Sequence, residues 1–338
     1  MATTLAIAAA GGALAALLRV PLAWMIGAMV AVSAASFAEV RTESPPAVRI
    51  VGLVVLGSAL GLAFTAPVLR AVAFAMPAIL LGGVAAIVSG AVVARLTARL
   101  GGTDARTGYF CSVPGGIIVM VVLAARAGAD VAAVTLSQTV RMAVVVLCFP
   151  PALMFAGARG DALFAFTPPP TDPLGLVIVL AATTSGALLL RRTGAANPWM
   201  LGPIAVALGL SVAEAAPSGI PLWMTNAAQV LMGTSLGVRL TPDFLMRSRR
   251  LLAASLVSVA VICVLLVGVG FALALGFDLP AAAVVLGMAP GGMPEMAVTA
   301  KVLNLGVPLV LAFHLVRTLL CNLLVGPLWR LTERLGLG

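Results

Sequence analysis

The chain has 338 residues, 62% hydrophobic and only 9% charged, against the roughly 25% charge usual in globular proteins. With a mean hydropathy of +1.18, a water-soluble fold of this size would have too little polar surface to cover its core. The net charge of +9 sits mostly on single arginines in short connections, which reads as membrane topology rather than nucleic-acid binding.

A spanning helix needs roughly 20 apolar residues. Twelve such stretches are predicted, near 2–18, 21–39, 47–66, 70–94, 104–126, 130–156, 173–190, 198–216, 222–240, 251–276, 280–304 and 307–329. No Lys or Arg precedes the first, so 2–18 is expected to be a membrane segment and not a cleaved signal peptide. The one long polar connection, 157–172, contains Arg159, Asp161, Pro168, Pro169, Pro170 and Asp172. A triple proline does not continue a helix, so the chain divides into a membrane repeat at 1–157, a linker at 158–172 and a second repeat at 173–338.

The two halves repeat each other. Trp24-Met25-Ile26-Gly27 returns as Trp199-Met200-Leu201-Gly202, and Gly57-Ser58-Ala59-Leu60-Gly61 as Gly233-Thr234-Ser235-Leu236-Gly237. Pro114-Gly115-Gly116 returns as Pro290-Gly291-Gly292, and Arg141 as Arg317. Four matches in order, each 175 or 176 residues apart, mark an internal duplication.

Charge decides the relation between the halves. If all twelve segments cross, ten basic residues fall on one side and eight on the other, which is no bias. If each Pro-Gly-Gly segment instead enters and leaves on one side, the first side holds positions 41, 49, 95, 99, 106, 126, 191, 192, 239, 247, 249, 250, 330 and 334. The other keeps only 19, 70, 159 and 301. That bias places both termini in the cytoplasm. It also gives each half an odd number of crossings, so the second half lies inverted. The expected fold is therefore an all-α polytopic membrane protein of two inverted repeats. Each repeat has about five spanning helices and one broken or re-entrant Pro-Gly-Gly segment.

The scarce polar residues inside these segments are the candidate site. Backbone freed at a Pro-Gly-Gly turn is tolerated at bilayer depth only inside protein or beside a wet cavity. A matched pair of such turns points to a midplane transporter site, where helix N-termini face an anion. An arginine at mid-bilayer costs at least about 2.5–3.5 kcal/mol and keeps its proton, so Arg141 and Arg317 must face a partner or a wet cavity. They read either as a cationic site for an anion or as structural ties to carbonyls freed by the turns. Gln138 and His314 lie three residues earlier, on the same helix faces, and Ser137 adjoins the first pair. His314, the only histidine, and Glu295 are the groups through which a coupling proton could pass. Glu295, where the first half has Val119, also reads as a resting counter-ion for either arginine.

The candidate binding set is thus Pro114, Gly115, Gly116, Gln138, Arg141, Pro290, Gly291, Gly292, Glu295, His314 and Arg317. Cys111, Cys148, Cys263 and Cys321 lie in apolar stretches at no metal-ligand spacing, and read as small buried hydrophobes. Trp223 and Trp329 sit at segment ends and read as an interfacial belt. Small-residue spacings such as Gly52–Gly57–Gly61, Gly233–Gly237 and Gly82-Gly83 read as tight helix contacts.

The paired Trp-Met-Ile/Leu-Gly, Pro-Gly-Gly and Gln/His-x-x-Arg motifs, in that order in both halves, resemble the AbrB-like integral membrane family. That resemblance covers nearly the whole chain and implies two copies of one membrane domain. Names used in the family include ammonia monooxygenase and regulator of gene expression. One histidine cannot build a copper or non-haem iron site, so no metal, no cofactor and no enzyme activity are expected.

The expected function is inner-membrane secondary transport of a small anion such as a carboxylate. A coupling ion, H+ or Na+, and an oligomeric state are left open. A membrane-embedded sensor acting on gene expression indirectly is the alternative, and an enzyme comes last. Expected partners are the lipid bilayer and the anionic substrate, with no nucleic acid.

Overall fold

A computed structural model describes residues 1–158, 169–195, 197–246 and 248–334. Linker residues 159–168, including Arg159, Asp161 and Pro168, lie outside the described residues. Among the described residues every regular element is a helix. The first half supplies α1 (Ala2–Leu17), α2 (Ala23–Phe37), α3 (Pro46–Gly61), α4 (Ala66–Phe74), α5 (Met76–Gly101), α6 (Ala105–Ser112), α7 (Ile117–Ala127) and α8 (Val131–Phe155). The second supplies α9 (Pro173–Arg192), α10 (Pro198–Val212), α11 (Leu222–Gly237), α12 (Pro242–Met246), α13 (Arg249–Gly276), α14 (Ala281–Met288), α15 (Met293–Val302) and α16 (Val307–Arg334). The series match one for one, and α3/α11, α6/α14, α7/α15 and α8/α16 each begin 176 residues apart.

This is a membrane protein. Helices α5, α8, α9, α13 and α16 are by themselves long and apolar enough to cross a bilayer. Helices α3 and α4 pass that test only as a pair bent by 91°, where one straight span at 47–66 was expected, and the span expected at 70–94 is α5, displaced to Met76–Gly101. The expected spans at 2–18, 21–39 and 198–216 are shorter apolar helices of 16, 15 and 15 residues. At 1.5 Å rise these reach about 23 Å. Their neighbouring turns use left-handed backbone at Arg19, Leu22 and Asn197, which ends or starts a helix before it reaches full length.

The chain forms two compact units, each drawing on both halves. The first contains residues 1–73, 150–242 and 297–308. Here the repeated motifs are packing devices. Gly57 and Gly61 of α3 dock on the carbonyls of Met200 and Ile204 of α10, and Gly233 and Gly237 of α11 dock on those of Met25 and Met29 of α2. A methyl group at Gly237 would stand 2.8 Å from the Met29 carbonyl oxygen, so only glycine allows this approach. The glycine of each Trp-Met-Ile/Leu-Gly motif serves the other face: Gly27 meets Gly11 of α1, and Gly202 meets Gly186 and Ala187 of α9.

The second unit contains residues 74–149, 243–296 and 309–338. In it α5 and α13, which are repeat mates, run antiparallel. Gly101 faces Leu251 and Ala254, while Thr97 bonds Ser258 at 2.7 Å. Its core joins Tyr109, Phe110, Val113, Met120, Val134, Leu136, Val325 and Trp329. Trp329 is not a belt residue: it is 7% exposed, with its ring 5.2 Å from Tyr109 and 6.2 Å from Phe110. Helix α16 places it against α6, and the Tyr109 hydroxyl donates to the Val325 carbonyl at 3.1 Å. Trp223 is exposed. Of the cysteines only Cys111 and Cys321 are buried; Cys148 is exposed and Cys263 half-buried, as small apolar side chains facing lipid are free to be.

Candidate functional site

Both Pro-Gly-Gly turns lie in the second unit, and each separates two helices too short to span. Asp104 caps α6, its Oδ1 accepting from the Thr107 amide at 3.1 Å. Asp130 caps α8, accepting from the amides of Ala132 and Ala133. Between them α6 and α7 form a hairpin. Arg106 Nη1 donates to the Ala127 carbonyl at 2.7 Å, and the Asp130 amide donates to Thr107 Oγ1 at 3.0 Å. The first turn of α6 therefore touches the end of α7, with Val113 to Gly116 at the far tip.

Three of the tip glycines, Gly115, Gly291 and Gly292, are needed for space. None of Gly115, Gly116, Gly291 and Gly292 has a positive φ, so left-handed backbone is not what calls for glycine here. A Cβ on Gly115 would collide with Met120, and one on Gly291 with Met296 at 3.0 Å. The same methionine, five residues on, closes over each tip.

The arginines tie these tips down. Arg141, 2% exposed, donates through Nη1 to the Val113 carbonyl at 3.1 Å and through Nη2 to the Gly115 carbonyl at 2.8 Å. Arg317, 6% exposed, donates to Ala289 at 2.7 Å and Gly291 at 2.9 Å. These acceptors are repeat mates. A turn lacking one amide donor leaves carbonyls without helical partners, and each guanidinium fork satisfies two of them.

The preceding polar residues continue the pattern. Gln138 Nε2 donates to Phe110, Cys111 and Val113 at 2.8, 3.3 and 3.1 Å, and Ser137 Oγ donates to Cys111 at 3.3 Å. His314 Nε2 lies 3.3 Å from the Leu286 carbonyl, and Arg317 Nη2 lies 2.9 Å from His314 Nδ1. A guanidinium only donates, so Nδ1 accepts, Nε2 carries the proton, and the ring is neutral here. A second proton on His314 would require Arg317 to let go.

The bonded residues on α8 and α6 keep a separation of 28, as do those on α16 and α14, so each long helix runs parallel to the first limb of its own turn. Helix α16 runs the opposite way along α6: Cys321 approaches the Pro114 carbonyl at 3.9 Å, while Val325 receives Tyr109 further back. The repeat mates α8 and α16 are thus antiparallel.

The two halves of the site interleave. Met142 of α8 borders Gly292 at the second tip, and Cys321 of α16 borders Pro114 at the first. Pro114, Gly115 and Pro290 are buried, while Gly116 is exposed, with nothing within 4 Å of a Cβ built there. At the second tip the Glu295 carboxylate folds back against Gly292. Among the described residues the buried charged side chains are Arg141, Arg317 and Glu295, which leaves one positive charge in excess.

The backbone acceptors, Met120, Met296 and Met142 were not part of the candidate set. The carbonyls carry no sequence signal, but Met120 and Met296 recur at the same 176-residue spacing. In the first half the Nε of Arg141 and the Oε1 of Gln138 are buried without hydrogen-bond partners among the described residues.

Comparison with known proteins covers both cradles. The family model described as "Transition state regulatory protein AbrB" matches residues 24–333. "Putative regulator AbrB" of Escherichia coli K12 is 27% identical over 315 residues, 91% of this chain and 89% of the relative. "Uncharacterized protein YhjN" of Bacillus subtilis 168 is 27% identical over an alignment of 363 residues, 98% of this chain and 92% of the relative. Since the match runs through both Pro-Gly-Gly turns and both buried arginines, the chain belongs to the AbrB family.

Proposed function

We propose that the chain is an inner-membrane secondary transporter of a small anion, a carboxylate by preference, and not an enzyme. The observation that carries this reading is the excess positive charge of Arg141 and Arg317 over Glu295, buried around the two helix breaks. A buried charge left unbalanced is strongly unfavourable, and an anionic substrate would balance it.

The asymmetry of the tips supports a place for the substrate at α7. Glu295, third residue of α15, keeps its carboxylate at its own helix start, while α7 has Val119 there and open space at Gly116. A substrate carboxylate would take at α7 the position that Glu295 takes at α15. Inverted halves with both termini cytoplasmic are part of the proposal. They are supported by the antiparallel repeat mates, by the α6–α7 hairpin and by the uneven loop charge. The E. coli relative's name offers a second reading, a sensor that binds the same anion without moving it.

The test is uptake of radiolabelled acetate, succinate and citrate into proteoliposomes, with Val119→Glu as the variant. Uptake of at least one carboxylate, lost in Val119→Glu while the melting profile is kept, is the expected result. Binding without uptake favours the sensor. Uptake unaffected by Val119→Glu removes α7 from the site.

A further inference from the structure

The first unit contains a cavity of about 380 Å³ that the transport site does not use. Its walls include Arg19 and Trp24 around the α1–α2 turn, Met154 at the end of α8, Asn226 and Gln229 of α11, and Leu303 beyond α15. Arg19 is the one charged side chain among them.

Three features set this cavity apart from a packing void. First, Asn226 and Gln229 stand where the first half has Ile50 and Leu53, so the duplicated helix itself does not call for amides here. Gln229 is 3% exposed and donates only a long 3.4 Å bond to Asn226, leaving amide capacity toward the cavity. Second, Arg19 and Leu22 both have left-handed backbone, at φ 54° and 53°. A leucine is strained there, whereas the repeat mate at the start of α10 is Asn197, a residue that tolerates it. The strained turn brings Arg19 and the uncapped N-terminus of the 15-residue α2 to one wall. Third, the flanking residues Leu17, Leu18 and Phe155 are 81%, 69% and 83% exposed, an apolar rim that suits acyl chains and not a free ion.

We propose that this cavity binds a phospholipid headgroup. The lipid phosphate lies between Arg19 and the α2 N-terminus, Asn226 and Gln229 bond headgroup or ester oxygens, and the chains run over the apolar rim. Arg19 stands at a helix end, the depth at which headgroups lie. The site is independent of the proposed transport reading.

Native mass spectrometry of the delipidated full chain, titrated with dioleoylphosphatidylglycerol, tests it. Saturable binding is expected, weakened about tenfold in Arg19→Gln, weakened in Gln229→Leu, and unchanged in the control Arg70→Gln. Dioleoylglycerol, which lacks the phosphate, is expected not to bind, and inorganic phosphate not to compete. Equal binding by Arg19→Gln, equal binding of dioleoylglycerol, or displacement by phosphate alone would each overturn the proposal. Arg19 is exposed, so its variant remains decisive even if Gln229→Leu does not fold.

Discussion

Arg141 and Arg317 each engage two carbonyls two residues apart, one through each terminal nitrogen. The planar fork does this from two separate nitrogens; a lysine carries its three N–H donors on one nitrogen, which does not match this two-armed geometry. A buried carbonyl left without a donor costs about 1–3 kcal/mol. Arg141→Lys and Arg317→Lys should therefore each lose about that much stability, by similar amounts because the acceptors are repeat mates. Thermal unfolding in detergent micelles checks this, and a lysine variant as stable as the parent would show the fork to be dispensable. From sequence, a mid-membrane arginine could be a structural tie or an anion site. The geometry makes each arginine a tie, and its charge stays buried all the same. Sequence reading identified the arginines because charge is rare here, but the oxygens they hold belong to Val113, Gly115, Ala289 and Gly291, whose side chains say nothing of them.

At the scale of the element, each Pro-Gly-Gly announced a break, and the break lies there, between α6 and α7 and between α14 and α15. Segment length did not say whether the first pair crosses or turns back, since 23 residues at 1.5 Å rise make either about one span or two half-spans. The unlike positions of Arg106 and Arg126 under the two charge counts favoured turning back. The Arg106–Ala127 and Thr107–Asp130 hydrogen bonds show the limbs joined at their base. A hairpin makes a specific demand: cysteines replacing Thr107 and Asp130, in a chain freed of its native cysteines, should oxidise to a disulfide within one molecule. A straight segment would hold those positions some 35 Å apart, so failure to cross-link under oxidant would remove the hairpin. Trp329 shows the opposite limit of sequence reading. Its place near a segment end suited a headgroup belt, but the 28-residue α16 turns it onto Tyr109 and Phe110, partners more than 200 residues away that nothing in the local sequence names.

For the whole molecule, the duplication was legible because both copies keep short motifs in one order. The motifs did not tell that each compact unit would combine elements of both halves. Helix partners in a bilayer are chosen by close packing, not by apolar burial, and the partner of Gly57 proves to be Met200 of the other copy. Direction carries the strongest consequence. Repeat mates α5 and α13 run antiparallel, as do α8 and α16, the relation expected when a twofold axis lies in the membrane plane and not along its normal. Matching points of the two copies should then open to opposite sides. Arg126 ends α7, and its repeat mate Val302 ends α15 beside Lys301. Single cysteines at 126 and 301, in the cysteine-free background, should react with a membrane-impermeant maleimide from opposite faces. Position 126 should be reached from the cytoplasm and 301 from outside, because the proposed topology puts the basic loops in the cytoplasm. Labelling of both from one face would require parallel halves, and would take with it the odd crossing count on which the inverted transporter reading depends.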